Sequence, residues 1–158
     1  MCGYIKDCRN IIILGATGSG KTYISNALGV AANRKFYSSR YIRLPELLME
    51  LAFGREDGSY KKLVKGLKAV DLLILDEWLL YPLKEADTRE LLEIAEARCK
   101  NASTIFCSQM DIPGWHNRIG EPTLADAICD RIVHNSYKII VKGDESMRQR
   151  KSLQNCKD

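Results

Sequence analysis

The sequence predicts an α/β fold in which a central parallel sheet carries helices on both faces, and three observations support it. Three short runs, Ile11-Ile12-Ile13-Leu14, Leu72-Leu73-Ile74-Leu75 and Thr104-Ile105-Phe106-Cys107, have the length and apolar composition of strands buried on both faces. Between them lie stretches whose apolar residues recur every three or four positions, the period of an amphipathic helix. Strands alternating with helices require crossover connections, hence parallel pairing, and such crossovers are right-handed.

The elements follow in order. Residues 1–10 read as a polar lead-in without periodicity, and 11–14 as the first strand. Ile24, Ala27, Leu28, Ala31 and Ala32 at helical spacing predict a helix over 21–33. Tyr41-Ile42-Arg43 makes a brief strand. Pro45 then starts a helix, with Leu44, Leu47, Leu48 and Leu51 on one face. Residues 54–59 read as a polar turn, and 60–67 as a short basic helix with Leu63, Val64 and Leu67 on its dry side. The strand 72–75 ends in Asp76-Glu77. A helix over 86–99 turns Leu91, Leu92, Ala95 and Cys99 inward. The strand 104–107 leads into Ser108-Gln109, and Pro113, Gly114 and Gly120 mark 111–122 as a loop. A helix over 124–134 and a last strand over 137–141 precede a charged tail.

Directly behind the first strand, Gly15-Ala16-Thr17-Gly18-Ser19-Gly20-Lys21-Thr22 fits G-x-x-x-x-G-K-[ST] at every fixed position. Glycines allow a tight turn with its N–H groups facing inward, and the following helix adds its positive end, so the loop cradles an anion. Lys21 is placed to reach the β- and γ-phosphates of a nucleotide. The Thr22 hydroxyl is a hard oxygen ligand suited to Mg²⁺. The fold class therefore sharpens to a P-loop nucleoside-triphosphate hydrolase. Asp76 at a strand tip can hold the Mg²⁺ shell, and Glu77 beside it can polarise a water for in-line attack on the γ-phosphate. The alternative for Asp76 alone is a turn cap after a core strand. A carboxylate pair here, with no Arg-rich lid, argues against a small-molecule kinase.

Other residues carry two readings each. Ser108 and Gln109 either contact the γ-phosphate or its attacking water, or form a turn. Arg131 either reaches a neighbouring subunit's ATP as a finger or bridges to Asp126 or Asp130. Trp115 in its loop either stacks on a base or covers a core edge, the latter being favoured. His134 reads as a residue at the end of a helix, favouring the dipole.

Bulk properties set the boundaries. A chain of 158 residues, 46% hydrophobic and 28% charged, is one domain with room for a proper core. No run approaches the roughly eighteen apolar residues of a membrane span, and no signal peptide precedes the phosphate loop, so a cytoplasmic protein is expected. The six cysteines include no C-x-x-C pair and only two histidines accompany them, so Cys99, Cys107 and Cys129 read as small buried hydrophobes. The net charge of +4 is uneven: residues 33–68 hold nine basic and four acidic side chains. Such an excess suits a phosphate-backbone contact, although a solvated basic face explains it as well.

The phosphate loop, Leu72 to Glu77, Ser103 to Gln109, the run from Leu124 through Asp130-Arg131 to His134, and Gly143-Asp144-Glu145-Ser146-Met147-Arg148 occur in that order. Together they resemble the IstB-like ATP-binding proteins, AAA+ ATPases that assist insertion-sequence transposases and are close relatives of the DnaC helicase loaders. The resemblance covers roughly residues 3 to 151. It implies ATP and Mg²⁺ as ligands of Lys21, Thr22 and Asp76, Glu77 as the catalytic carboxylate, Gln109 as a sensor where the family often has Asn, and Arg131 as the finger. Arg148 matches the family's Gly-Glu-Ser-aromatic-Arg ending apart from an inserted Asp144, and so joins the ATP ligands.

The same resemblance places the basic segment from Arg40 to Lys68 where the family carries a DNA-touching helical insert, with Arg43, Lys61, Lys62 and Lys65 as the contacts. It implies duplex DNA and a transposase as partners and a homo-oligomer joined through ATP-bridged interfaces. Family members usually carry a helical region ahead of the ATPase domain, whereas fourteen residues precede Gly15 here. The expectation is a single AAA+ ATPase domain over 1–158 without that region, acting as a DNA-associated helper of transposition. The rivals are a DnaC-like helicase loader and a truncated, non-hydrolysing ATP-binding module.

Overall fold

The computed structural model describes residues 2–142. Five strands, β1 (Asn10–Leu14), β2 (Ser39–Arg43), β3 (Leu72–Asp76), β4 (Ser103–Ser108) and β5 (Ser136–Ile140), pair in the order β2-β3-β4-β1-β5, every neighbour parallel. The helices are α1 (Gly3–Lys6), α2 (Lys21–Arg34), α3 (Leu44–Asp57), α4 (Tyr60–Ala69), α5 (Glu85–Arg98), α6 (Ile112–Ile119) and α7 (Pro122–Val133).

Strand side chains alternate between two cores, as the pleat requires. Ile12, Leu73, Leu75 and Phe106 face one core with α3 to α7, whereas Ile11, Ile13, Leu72, Ile74, Ile105 and Cys107 face the other with α1 and α2. Helices thus cover both faces, as the continuous apolar runs predict. All five carboxyl strand ends lie along one edge, and the phosphate loop leaves β1 there, beside β4 and β5.

The sequence expectations need correction in four places. The lead-in contains α1, a single turn that buries Ile5. The turn expected at 54–59 is largely helix: α3 continues to Asp57, and Gly58, at φ +83°, ends it. Gly54 is tolerated inside that helix because the chain packs closely there; an added Cβ would lie 3.2 Å from backbone atoms of Tyr60. The loop expected at 111–122 contains α6, with Pro113 in its first turn and the Asp111 carboxylate accepting from Gly114 N at 3.1 Å as the N-cap. Cys99 caps the end of α5 and is half-buried, unlike buried Cys107 and Cys129.

Candidate functional site

The phosphate loop is built by positions that need glycine. Gly18 and Gly20 have φ of +78° and +102°, a left-handed backbone that glycine adopts without strain. A Cβ on Gly15 would stand 2.6 Å from Ser19 Oγ and 2.9 Å from the Val141 carbonyl, so the loop presses against the end of β5. Ser19 Oγ is buried with no hydrogen-bond partner. The first turn of α2 points amides without helical acceptors into the same concavity. Lys21 Nζ folds over the loop and donates to the carbonyls of Gly15 at 2.6 Å and Ala16 at 2.8 Å. Burial lowers its pKa, opposed by the Asp76 carboxylate.

The two acidic residues come from the end of β3. Thr22 Oγ1 donates to Asp76 Oδ2 at 2.7 Å, so residues 54 apart in sequence meet across the sheet edge. Asp76 is buried and accepts two further bonds: Oδ2 from the Tyr41 hydroxyl at 2.5 Å and Oδ1 from Glu77 N at 2.8 Å. Burial, then the bond to Asp76, raises the Tyr41 pKa, so its hydroxyl stays a donor. Glu77 adopts φ +53°, uncommon for a residue with a side chain. Trp78 enforces it: fully buried, its ring stacks edge-on against Phe106 at 4.8 Å and Trp115 at 5.9 Å, and its backbone N–H donates to Cys107 O at 2.8 Å. With Trp78 anchored in the core, Glu77 is turned outward, where its carboxylate lies 3.8 Å from the Arg43 guanidinium.

The Ser108-Gln109 pair divides. Ser108 is buried and its hydroxyl donates to Trp78 O at 2.9 Å, which turns it inward. Gln109 remains exposed and accepts from Thr17 Oγ1 at 2.7 Å, tying β4 to the loop's tip. Trp115 is core, its indole N–H donating to Met110 O at 2.9 Å.

Arg131 stands elsewhere. It sits near the end of α7, in a cleft with Lys6, Cys8, Cys99 and Asn135, where β1 and β5 begin. That is the sheet edge opposite the phosphate loop. Within the chain its guanidinium lies 3.7 Å from Asp130 and 3.9 Å from Glu96, and Asp126 is instead near His116. His134 caps α7 with Nε2 at 2.7 Å from Asp130 Oδ1.

The expected DNA contacts also separate. Lys61, Lys62 and Lys65 lie exposed along α4 and form no ion pair among the described residues. Arg43 is held by Glu46 and Glu77 beside the acidic pair. Arg148 and the charged ending lie outside the described residues. Sequence reasoning missed Tyr41 and Trp78; the apolar-to-acidic step at Asp76 hints at neither, since both act through partners on other elements.

The donor set suits ATP with Mg²⁺. A lysine, an unpartnered buried hydroxyl and amide-lined concavity fit phosphate, and Thr22 with Asp76 offers the hard oxygens Mg²⁺ takes. No group of three or more His, Cys, Asp or Glu side chains gathers among the described residues. No helix among those residues is long and apolar enough to cross a membrane.

The profile of the family described as IstB-like ATP binding protein matches residues 1–155. An insertion sequence ATP-binding protein of Sinorhizobium fredii, y4pL, is 47% identical over 140 residues, which is 89% of this chain and 57% of the relative. The chain thus spans little more than half the length of that curated relative. Among solved structures, DnaI matches with a TM-score of 0.76 at 24% identity over 87% of this chain and 76% of its own. AMPPCP-bound DnaA from Aquifex aeolicus matches with a TM-score of 0.73 at 21% identity over 94% and 45%. At those identities the likeness is one of fold, the AAA+ P-loop fold. On the profile match and the close relative together, the chain belongs to the IstB-like ATP binding protein family.

Proposed function

We propose that this chain binds ATP·Mg²⁺ at the edge formed by the phosphate loop, Asp76 and Glu77, and hydrolyses it when neighbouring copies assemble on duplex DNA. In that role it would serve a transposase as the ATP-dependent helper of an insertion sequence, in the cytoplasm. The supporting observation is the 2.7 Å bond between Thr22 and Asp76, which brings the helix start and the β3 tip together at the mouth of the loop.

Each residue has a definite task in this reading. The loop amides and Lys21 would hold the phosphates, Lys21 exchanging its two carbonyl partners for phosphate oxygens. Thr22 and Asp76 would hold Mg²⁺, which when bound neutralises phosphate charge and orients the γ-phosphate. Glu77 would accept a proton from the attacking water, once freed from Arg43. Gln109, tied to the loop through Thr17, would sense whether the loop is filled. Arg131, on the far edge, would act on a neighbour's ATP. The α4 lysines would bind DNA phosphates without reading sequence. The described fold would be one AAA+ domain.

The test is ATP turnover by the purified chain with and without duplex DNA, at low and high salt, beside Glu77→Gln. Turnover stimulated by DNA, lost at high salt and abolished by the substitution is expected. A second reading, an ATP-binding module that does not hydrolyse, draws on the nearness of Arg43 to Glu77, which holds that carboxylate aside. Tight ATP binding with no turnover under any of these conditions would establish it instead.

A further inference from the structure

We propose that Tyr41 is a positioning residue for the cation site: its hydroxyl fixes the Asp76 carboxylate in the orientation in which Asp76 and Thr22 together take Mg²⁺. This rests on the ATP·Mg²⁺ reading above and extends it to a strand that contributes to neither the phosphate loop nor the acidic pair.

Tyr41 pairs with Ile74 and Arg43 with Asp76, so on the parallel β2–β3 pair Tyr41 lies one same-face step back from Asp76. A tyrosine is long enough to span that diagonal, and its hydroxyl arrives at Oδ2 at 2.5 Å. Thr22 reaches the same oxygen from α2 at 2.7 Å, while Glu77 N holds Oδ1 at 2.8 Å. The carboxylate is therefore fixed by three donors, from β2, from α2 and from the turn that follows β3.

Packing does not account for the tyrosine. Position 41 is on the edge strand, is 39% exposed, and belongs to neither apolar core, among whose members are the other inward residues of β2 and β3. What the ring delivers is its hydroxyl, and among the described residues Asp76 is that hydroxyl's hydrogen-bond partner.

The chemistry of the pair makes the anchor matter. A threonine hydroxyl can offer a lone pair to a cation only if its proton has a settled acceptor elsewhere. Asp76 Oδ2 is that acceptor, and it must stay in place when the cation draws on the carboxylate. Tyr41 holds the oxygen from the β2 side while Thr22 holds it from the α2 side. Removing the phenol oxygen leaves the ring and the loop intact but frees the carboxylate to rotate about its remaining bonds.

The experiment is a binding measurement with a fluorescent ATP analogue, in EDTA and across a Mg²⁺ titration, for the wild type, Tyr41→Phe and Asp76→Asn. The expected Tyr41→Phe protein melts like the wild type without nucleotide and binds the analogue equally in EDTA. Its Mg²⁺ concentration for half-maximal tightening rises about tenfold or more, the range for losing one hydrogen bond to a charged group. An unchanged or lowered midpoint in Tyr41→Phe, with a raised one in Asp76→Asn, overturns the role of Tyr41 and leaves the ATP·Mg²⁺ reading standing. Loss of affinity in EDTA as well would mark a site-wide defect and also overturn the positioning role. A wild type whose binding shows no Mg²⁺ dependence overturns that reading and this inference together.

Discussion

The thiols of Cys107 and Cys129 illustrate what burial does to a single group. Burial pushes Cys107 up to about 12 and Cys129 up to about 11, the Asp126 carboxylate adding to the latter. The reactive thiolate is therefore suppressed at neutral pH. Brief alkylation followed by peptide mass spectrometry should label the partly exposed Cys8 well before either of these. The same shift has a consequence for stability, best seen at Cys129, which is remote from the nucleotide site. Its folded pKa lies above its ordinary value near 9.0, so the folded state favours the neutral thiol. That contribution is complete below pH 9 and is lost as pH rises through about 11. Denaturant unfolding measured between pH 8 and 11 should show stability falling in this window. In Cys129→Ala the fall should be shallower by about one proton per molecule.

Arg98 joins four elements at the end of α5. Its buried guanidinium donates to the carbonyls of Leu67 at 2.8 Å, Val70 at 2.6 Å and Ser103 at 2.6 Å, and to Thr104 Oγ1 at 2.9 Å. The end of α4, the lead into β3 and the start of β4 are thereby tied to α5. Burial lowers its pKa to about 10, which leaves the cation intact at neutral pH. Arg98→Met keeps much of the volume but strands these acceptors, and should cost about 3 kcal/mol or more, read as a lower denaturant midpoint with unchanged slope. Nothing local announces this arginine: at the end of a helix it reads as a solvated residue complementing the dipole. The strands were legible because a residue buried on both faces must be apolar whatever its neighbours, and the phosphate loop because its backbone demands glycine. Helix α6 was not, because its Pro113 and Gly120 serve as helix start and stop as readily as they mark a loop. Tyr41 and Trp78 were hidden for the reason Arg98 was, their partners being on other elements. Asp76, by contrast, ends an apolar run, and its place at a strand tip is a local fact.

Across the whole molecule, the distance between the two edges of the sheet decides what one chain can do alone. The phosphate loop leaves the carboxyl end of β1, and Arg131 lies where β1 and β5 begin. A five-residue strand separates those edges by roughly 15 Å, beyond the reach of one side chain from the far face. Arg131 therefore cannot serve its own chain's nucleotide. If it serves a neighbour's, head-to-tail assembly would complete each site with an arginine from the next copy, a heterologous contact that builds rings or open spirals. Arg131→Ala should then bind ATP as the wild type does yet lose DNA-stimulated turnover. Mixing it with Glu77→Gln, itself expected to be inactive, separates a finger from a local ion pair to Glu96 and Asp130. Where an Arg131→Ala subunit supplies the site and a Glu77→Gln subunit the arginine, the interface is whole. In a random equimolar mixture about a quarter of heterologous interfaces meet that condition, so turnover should recover to about that fraction of wild type. Two inactive proteins that regain activity on mixing would demonstrate action between chains. If Arg131→Ala alone keeps full stimulated turnover, the arginine is structural and its bonds to Glu96 and Asp130 are its whole role.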